Sequence, residues 1–113
     1  MLKVKGDVKK VLDKVTTTTT SGVVNTSMFN AVYVTCIVGG SGGKWNIKLQ
    51  GRLSHDDSTY FDLKDTSGND LKINDITASC IGILHPVPDM IKVVATEATD
   101  GGNLTVFIQP INI

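Results

Sequence analysis

In the stretch Trp45-Asn46-Ile47-Lys48-Leu49-Gln50-Gly51-Arg52-Leu53-Ser54, one parity carries Trp45, Ile47, Leu49, Gly51 and Leu53, and the other carries Asn46, Lys48, Gln50, Arg52 and Ser54. Successive side chains of a strand point to opposite faces, so this alternation predicts a half-buried β-strand with one face on a core and one in water. Turn-forming residues bracket it, Gly39-Gly40-Ser41-Gly42-Gly43 before and His55-Asp56-Asp57-Ser58 after. The chain therefore reads as short strands joined by tight loops.

Composition points the same way. Val, Thr and Ile make up 36 of the 113 residues, against a single Glu. Stiff, branched side chains favour pleated sheet. A chain of this length fits one domain, and a β-sandwich of about 100 residues buries a core without metal or disulfide.

The other strands follow from apolar runs and turn residues. Residues 16–20, five threonines, read as an edge strand, and residues 30–38 as a central strand buried on both faces. Phe61 and Leu63 are expected inward, with Asp62 and Lys64 outward. Thr66-Ser67-Gly68-Asn69-Asp70 reads as a hairpin turn, and residues 76–87 are apolar up to Pro86 and Pro88, which mark a strand end. Residues 90–96 and 103–109 are expected to pair as a hairpin around Asp100-Gly101-Gly102. Eight or nine strands at even spacing predict an all-β fold, a single-domain antiparallel β-sandwich of jelly-roll type over residues 15–113.

Residues 1–14 stand apart. Lys3, Lys5, Lys9, Lys10 and Lys14 against Asp7 and Asp13 leave this arm basic, while the whole chain carries no net charge. Val8, Val11, Leu12 and Val15 have helical spacing with Asp7 placed to cap, so the arm is expected as a short helix or an extended segment, weakly ordered until a partner orders it. Overall neutrality offers no general attraction for nucleic acid or an anionic membrane, and neither is expected as a partner. No signal-peptide core and no run of about 18 apolar residues is visible, so a soluble, cytosolically made chain is expected.

Catalytic and metal chemistry find little support in the residues. Cys36 and Cys80 sit in apolar runs without CxxC spacing and are expected as free thiols. His55, Asp56 and Asp57, with Asp62 or Asp65, offer oxygen and nitrogen ligands, but such a cluster reads first as a turn. His85 before Pro86 reads as a strand end, and Ser54 and Ser79 lack an elbow motif. Gly43-Lys44 is followed by Trp45 and precedes a strand, which rules out a P-loop. No enzyme activity, cofactor or metal is expected.

The order of pieces resembles that of small β-sandwich proteins in the virions of tailed bacteriophages. The matching pieces are residues 16–20, residues 30–38, Gly42-Gly43-Lys44-Trp45, Leu49-Gln50-Gly51-Arg52-Leu53-Ser54-His55-Asp56-Asp57, Tyr60-Phe61-Asp62-Leu63, Gly68-Asn69, residues 90–97 and residues 103–109. His55-Asp56-Asp57-Ser58-Thr59-Tyr60 stands where Ser-Asn-Asp-Gly-Thr-Trp is more typical, and residues 1–14 have no counterpart. The resemblance implies a non-enzymatic structural protein assembled into the virion in the host cytoplasm: a capsid decoration protein, a head fibre or a tail accessory subunit. It further implies capsid, portal or tail subunits as partners, and homo-oligomerisation. The five lysines of the arm are the expected docking residues. Phe107 joins them, because Leu104, Val106 and Ile108 take the inward parity and leave its ring on the other face. A carbohydrate-binding module is the alternative, with exposed aromatics as sugar platforms, although Trp45 shares the core parity.

Overall fold

The computed structural model describes residues 5–52 and 59–113; Lys3, Leu53 and the turn at His55, Asp56 and Asp57 lie outside them. Among the described residues there are eight strands and no helix: β1 (Lys9–Val15), β2 (Thr19–Thr20), β3 (Val24–Asn25), β4 (Ala31–Arg52), β5 (Phe61–Asp62), β6 (Lys72–Ile76), β7 (Cys80–Leu84) and β8 (Met90–Ile111). The all-β antiparallel class is as expected, and all eight belong to one hydrogen-bonded sheet. Its radius of gyration, 13.7 Å, is close to the roughly 13 Å of a single domain this size.

Two strands of 22 residues each organise the molecule. β4 and β8 run antiparallel over their whole length, from Ala31 opposite Ile111 to Arg52 opposite Met90. The short strands flank this ribbon, β1, β2 and β3 beside β8 and β5, β6 and β7 beside β4. In the first half of the ribbon the order is β1-β8-β4-β7; in the second, β2 and β3 lie beyond β8, and β6 and β5 beyond β4.

The halves meet at a glycine corner. The expected loop at residues 39–43 and the expected turn at residues 100–102 are both bends within continuous strands. Residues 90–96 and 103–109 therefore do not pair with each other; each pairs with β4. The physical reason is backbone contact between the bends. A Cβ on Gly43 (φ +86°) would lie 2.0 Å from the Gly101 carbonyl oxygen, and one on Gly40 (φ +74°) 2.9 Å from the Gly102 Cα. Only residues without a side chain let both strands turn together at this distance and with these positive φ values.

Both halves contribute to one buried cluster. Val32, Val34, Cys36, Leu104, Val106 and Ile108 come from the first half, and Trp45, Ile47, Leu49, Ile91, Val93 and Ala95 from the second. The faces that an expected sandwich would bring from separate sheets thus come from the two halves of one sheet. The parities of the 45–52 stretch and of residues 104–108 are as expected, with Trp45, Leu49, Leu104 and Ile108 buried.

One alternative left open is decided and two local expectations are corrected. Of the helical and extended forms expected for the arm, its described residues include a strand: β1 pairs with β8, Leu12 opposite Val106, and Leu12 is buried in the core cluster, so residues 9–15 are held as an edge strand. Burial of Leu12 and a ladder of hydrogen bonds outweigh the marginal helix propensity of two turns. Residues 31–38 are central in the ladder, but only one face is buried, since Ile37 is 45% exposed. Phe61 is 63% exposed, not inward, while Leu63 packs against the core. In two-residue β5 the ladder spans only Phe61 and Asp62 opposite Gly51 and Gln50, too short to impose the alternation.

Candidate interaction surface

Because Val32, Val34, Cys36, Leu104, Val106 and Ile108 turn inward, the alternate residues of the same strands must turn outward. The register sets them in rows. Lys10, Phe107, Thr35 and Ile81 follow one another across β1, β8, β4 and β7, and Gln109, Tyr33 and Ile83 form the next row. Thr105 and Ile37 make a third. Ile81 is 68% exposed, and Ile83, Ile37 and Val8 are exposed as well. A shallow depression of ≈ 380 Å³ between Val8, Tyr33, Ile81 and Phe107 marks the centre of this face.

Two lysines cap its aromatic rings. Lys10 Nζ lies 5.8 Å from the Phe107 ring centre and Lys5 Nζ 5.9 Å from that of Tyr33. Such contacts at exposed positions contribute about 0.5–1 kcal/mol and help hold Lys5 and Lys10 over the sheet. Hydrogen bonds to the Gly6 backbone fix the same segment: Gly6 N–H donates to the Pro110 carbonyl at 2.7 Å, and the Gln109 side-chain Nε2 donates to the Gly6 carbonyl at 3.0 Å. The result is an apolar face with a cationic rim on its β1 side.

Of the docking residues expected from the sequence, Lys5, Lys10 and Phe107 come together here. Lys9 is exposed at the β1 edge opposite Ile108. Lys14 stands at a bulge with φ +48°, where its backbone N–H donates to Thr105 Oγ1 at 3.1 Å. Lys3 lies outside the described residues. Tyr33, Ile37, Ile81 and Ile83 are additions from the structure. Their runs are apolar at both parities, so the outward residues carry no signal of their own in the sequence.

The second half of the ribbon turns a different face to water. Lys48 Nζ and Gln50 Nε2 donate to the Asp62 carboxylate at 3.1 and 2.9 Å, and these bonds, Gln50 first, hold its pKa below the ordinary carboxylate value. Lys92 Nζ sits 4.3 Å from the Tyr60 ring centre. Trp45 is fully buried and cannot serve as a platform for a sugar ring.

Among the described residues the reactive groups are dispersed. No group of three or more His, Cys, Asp or Glu side chains that could hold a metal occurs among the described residues; the His55-Asp56-Asp57 turn lies outside them. Ser79 Oγ accepts the Val38 N–H at 3.0 Å, which ties β7 to β4, and His85 is exposed just after β7. Cys36 and Cys80, both free thiols, face each other across β4 and β7. Burial, and then the neighbouring Cys80, push the Cys36 thiol up to about 12, far from the thiolate a nucleophile needs.

No protein-family model matches the chain, and no curated protein matches it in sequence. Among solved structures it is similar to the SPBc2 prophage-derived protein YomS, with a TM-score of 0.62 over 99% of this chain and 98% of that one at 13% identity. At that identity the likeness is one of fold.

Proposed function

We propose that this chain is a non-enzymatic structural protein of tailed-phage virions, a decoration subunit that attaches to other virion proteins through the outer face of its first half-sheet. The observation that carries this reading is the outward row of half-buried Phe107 and Thr35 with exposed Ile81, with half-buried Tyr33 and exposed Ile83 beside it, rimmed by Lys5 and Lys10. Exposed apolar patches edged by polar groups mark surfaces that meet other proteins. A lysine rim suits an acidic capsid, portal or tail surface, and steers approach to it. The fold shared with a prophage-derived protein and the piece-by-piece sequence resemblance to small virion proteins support the same placement. Among the described residues the reactive groups are dispersed, which supports the non-enzymatic part of the reading.

Particles from an infected or induced host, banded by density and analysed by mass spectrometry, test the reading. The expected outcome is stoichiometric recovery with intact particles, and loss of Phe107→Glu protein from them. A chain abundant in the lysate but absent from washed particles would overturn it.

A further inference from the structure

The first half-sheet has two edges, and they are built differently. β1 carries Lys9, Lys10, Asp13 and Lys14, and its register with β8 shifts twice, between Lys10 and Leu12 and between Leu12 and Val15. Charges and bulges of this kind stop an edge from pairing with another chain. β7 has neither. Its sequence is Cys80-Ile81-Gly82-Ile83-Leu84, without a charge, and five successive residues pair with β4 from Cys36 opposite Cys80 to Val32 opposite Leu84 with no shift. Its other edge pairs with no strand among the described residues.

We propose that β7 is a self-pairing edge: two copies of the chain align β7 antiparallel about a two-fold axis at Gly82 and join their first half-sheets into one continuous eight-stranded face. This rests on reading that face as a docking surface and names a second copy as the occupant of its open end. The symmetry follows from the sequence of the strand, because a two-fold interface needs a self-complementary patch. Centred on Gly82, Ile81 of one copy stands opposite Ile83 of the other, and Cys80 opposite Leu84. Both isoleucines face outward and are exposed, so the junction pairs β-branched side chains directly, the kind of cross-strand contact that stabilises sheets. Gly82 brings no side chain to the axis, and no charge meets its own copy.

The lysine rims agree with this geometry. Strands lie about 4.8 Å apart, so β1 of one copy and β1 of the other stand seven spacings, roughly 34 Å, apart in the joined sheet. Screening at physiological salt acts over about 8 Å, and the two rims do not repel. Pairing through β1 instead would bring the lysines face to face.

Light scattering on the full chain after size exclusion reads this directly. Wild type is expected at twice the 12.1 kDa chain mass. The Ile81→Lys, Ile83→Lys double variant sets lysine against lysine at both junctions, and its dimer dissociation constant should rise at least 100-fold. Combining Ile81→Lys with Ile83→Asp sets lysine against aspartate across the axis and should restore the dimer in a salt-sensitive way. Unchanged far-UV circular dichroism certifies folding; should the lysines unfold the chain, the uncharged Ile81→Ser must weaken the dimer. A monomeric wild type, a double-lysine variant that stays dimeric, or a lysine–aspartate variant that stays monomeric would each overturn the proposal. Particle recovery is read separately: monomers that still band with particles would end self-pairing alone, and dimers missing from particles would end the virion reading alone.

Discussion

The two ends of the β4–β8 ribbon bury their inner faces alike and treat their outer faces in opposite ways. In the second half, Asn46, Lys48, Gln50 and Arg52 face out, and Lys48 and Gln50 are engaged with Asp62. In the first half, the outward positions are Tyr33, Thr35 and Ile37, with Ile81, Ile83 and Phe107 beside them. The same pair of strands thus carries one face finished for water and one that leaves apolar surface exposed. Inward residues account for folding in both halves; what differs outside is available for contact with other molecules.

The largest effect that can break this comparison lies at the corner joining the halves. Gly43→Ala puts a Cβ 2.0 Å from the Gly101 carbonyl oxygen at φ +86°. Backbone strain and overpacking together should cost about 2–6 kcal/mol in denaturant unfolding. A loss below about 1 kcal/mol would mean that the halves are not held in the contact described.

Next, the faces themselves can be set against the core. Leu49→Ala should destabilise by about 2–5 kcal/mol, as truncations of fully buried leucine do. Ile81→Ser, at a position 68% exposed, should stay within roughly 0.5 kcal/mol when both proteins are unfolded at concentrations where the chain is monomeric. Similar shifts in their chemical midpoints would show that the outer apolar face is consumed by the fold and is not free for a partner.

The smallest effect sharpens the inner side. In the unfolded chain the Cys36 thiol ionises near its ordinary 9.0, and in the folded chain only at about 12. Above 9.0 the unfolded state loses its proton first, the native state binds more protons, and stability falls as pH rises towards 12; below 9.0 both states hold the proton and nothing changes. The denaturant midpoint of wild type should therefore drop more steeply between about pH 8 and about pH 10.5 than that of Cys36→Ala. Parallel slopes would mean that water reaches the thiol.

Legibility in the sequence varied with the length of the pattern. The 45–52 stretch and residues 104–108 alternate over many residues, and their inward parity is readable because a strand has period two. The site was legible only in part: Phe107 stands out as an aromatic among polar neighbours Thr105 and Gln109, and Lys5 and Lys10 as charge. Tyr33, Ile37, Ile81 and Ile83 were not, since an apolar run looks the same whether its second face meets a sheet or solvent.

Alternation and branched side chains by themselves determine that this protein is an antiparallel all-β domain, and which residues of its two long strands point inward, because those properties depend on neighbours one or two positions away. Pairing is another matter. That residues 39–43 and 100–102 form one corner, that residues 9–15 close an edge, and that Lys10, Phe107, Thr35 and Ile81 share a row were decided only by the tertiary structure. Those facts rest on contacts between residues up to about a hundred positions apart, such as the Gln109 bond to Gly6, and no local pattern encodes which backbone will lie beside which.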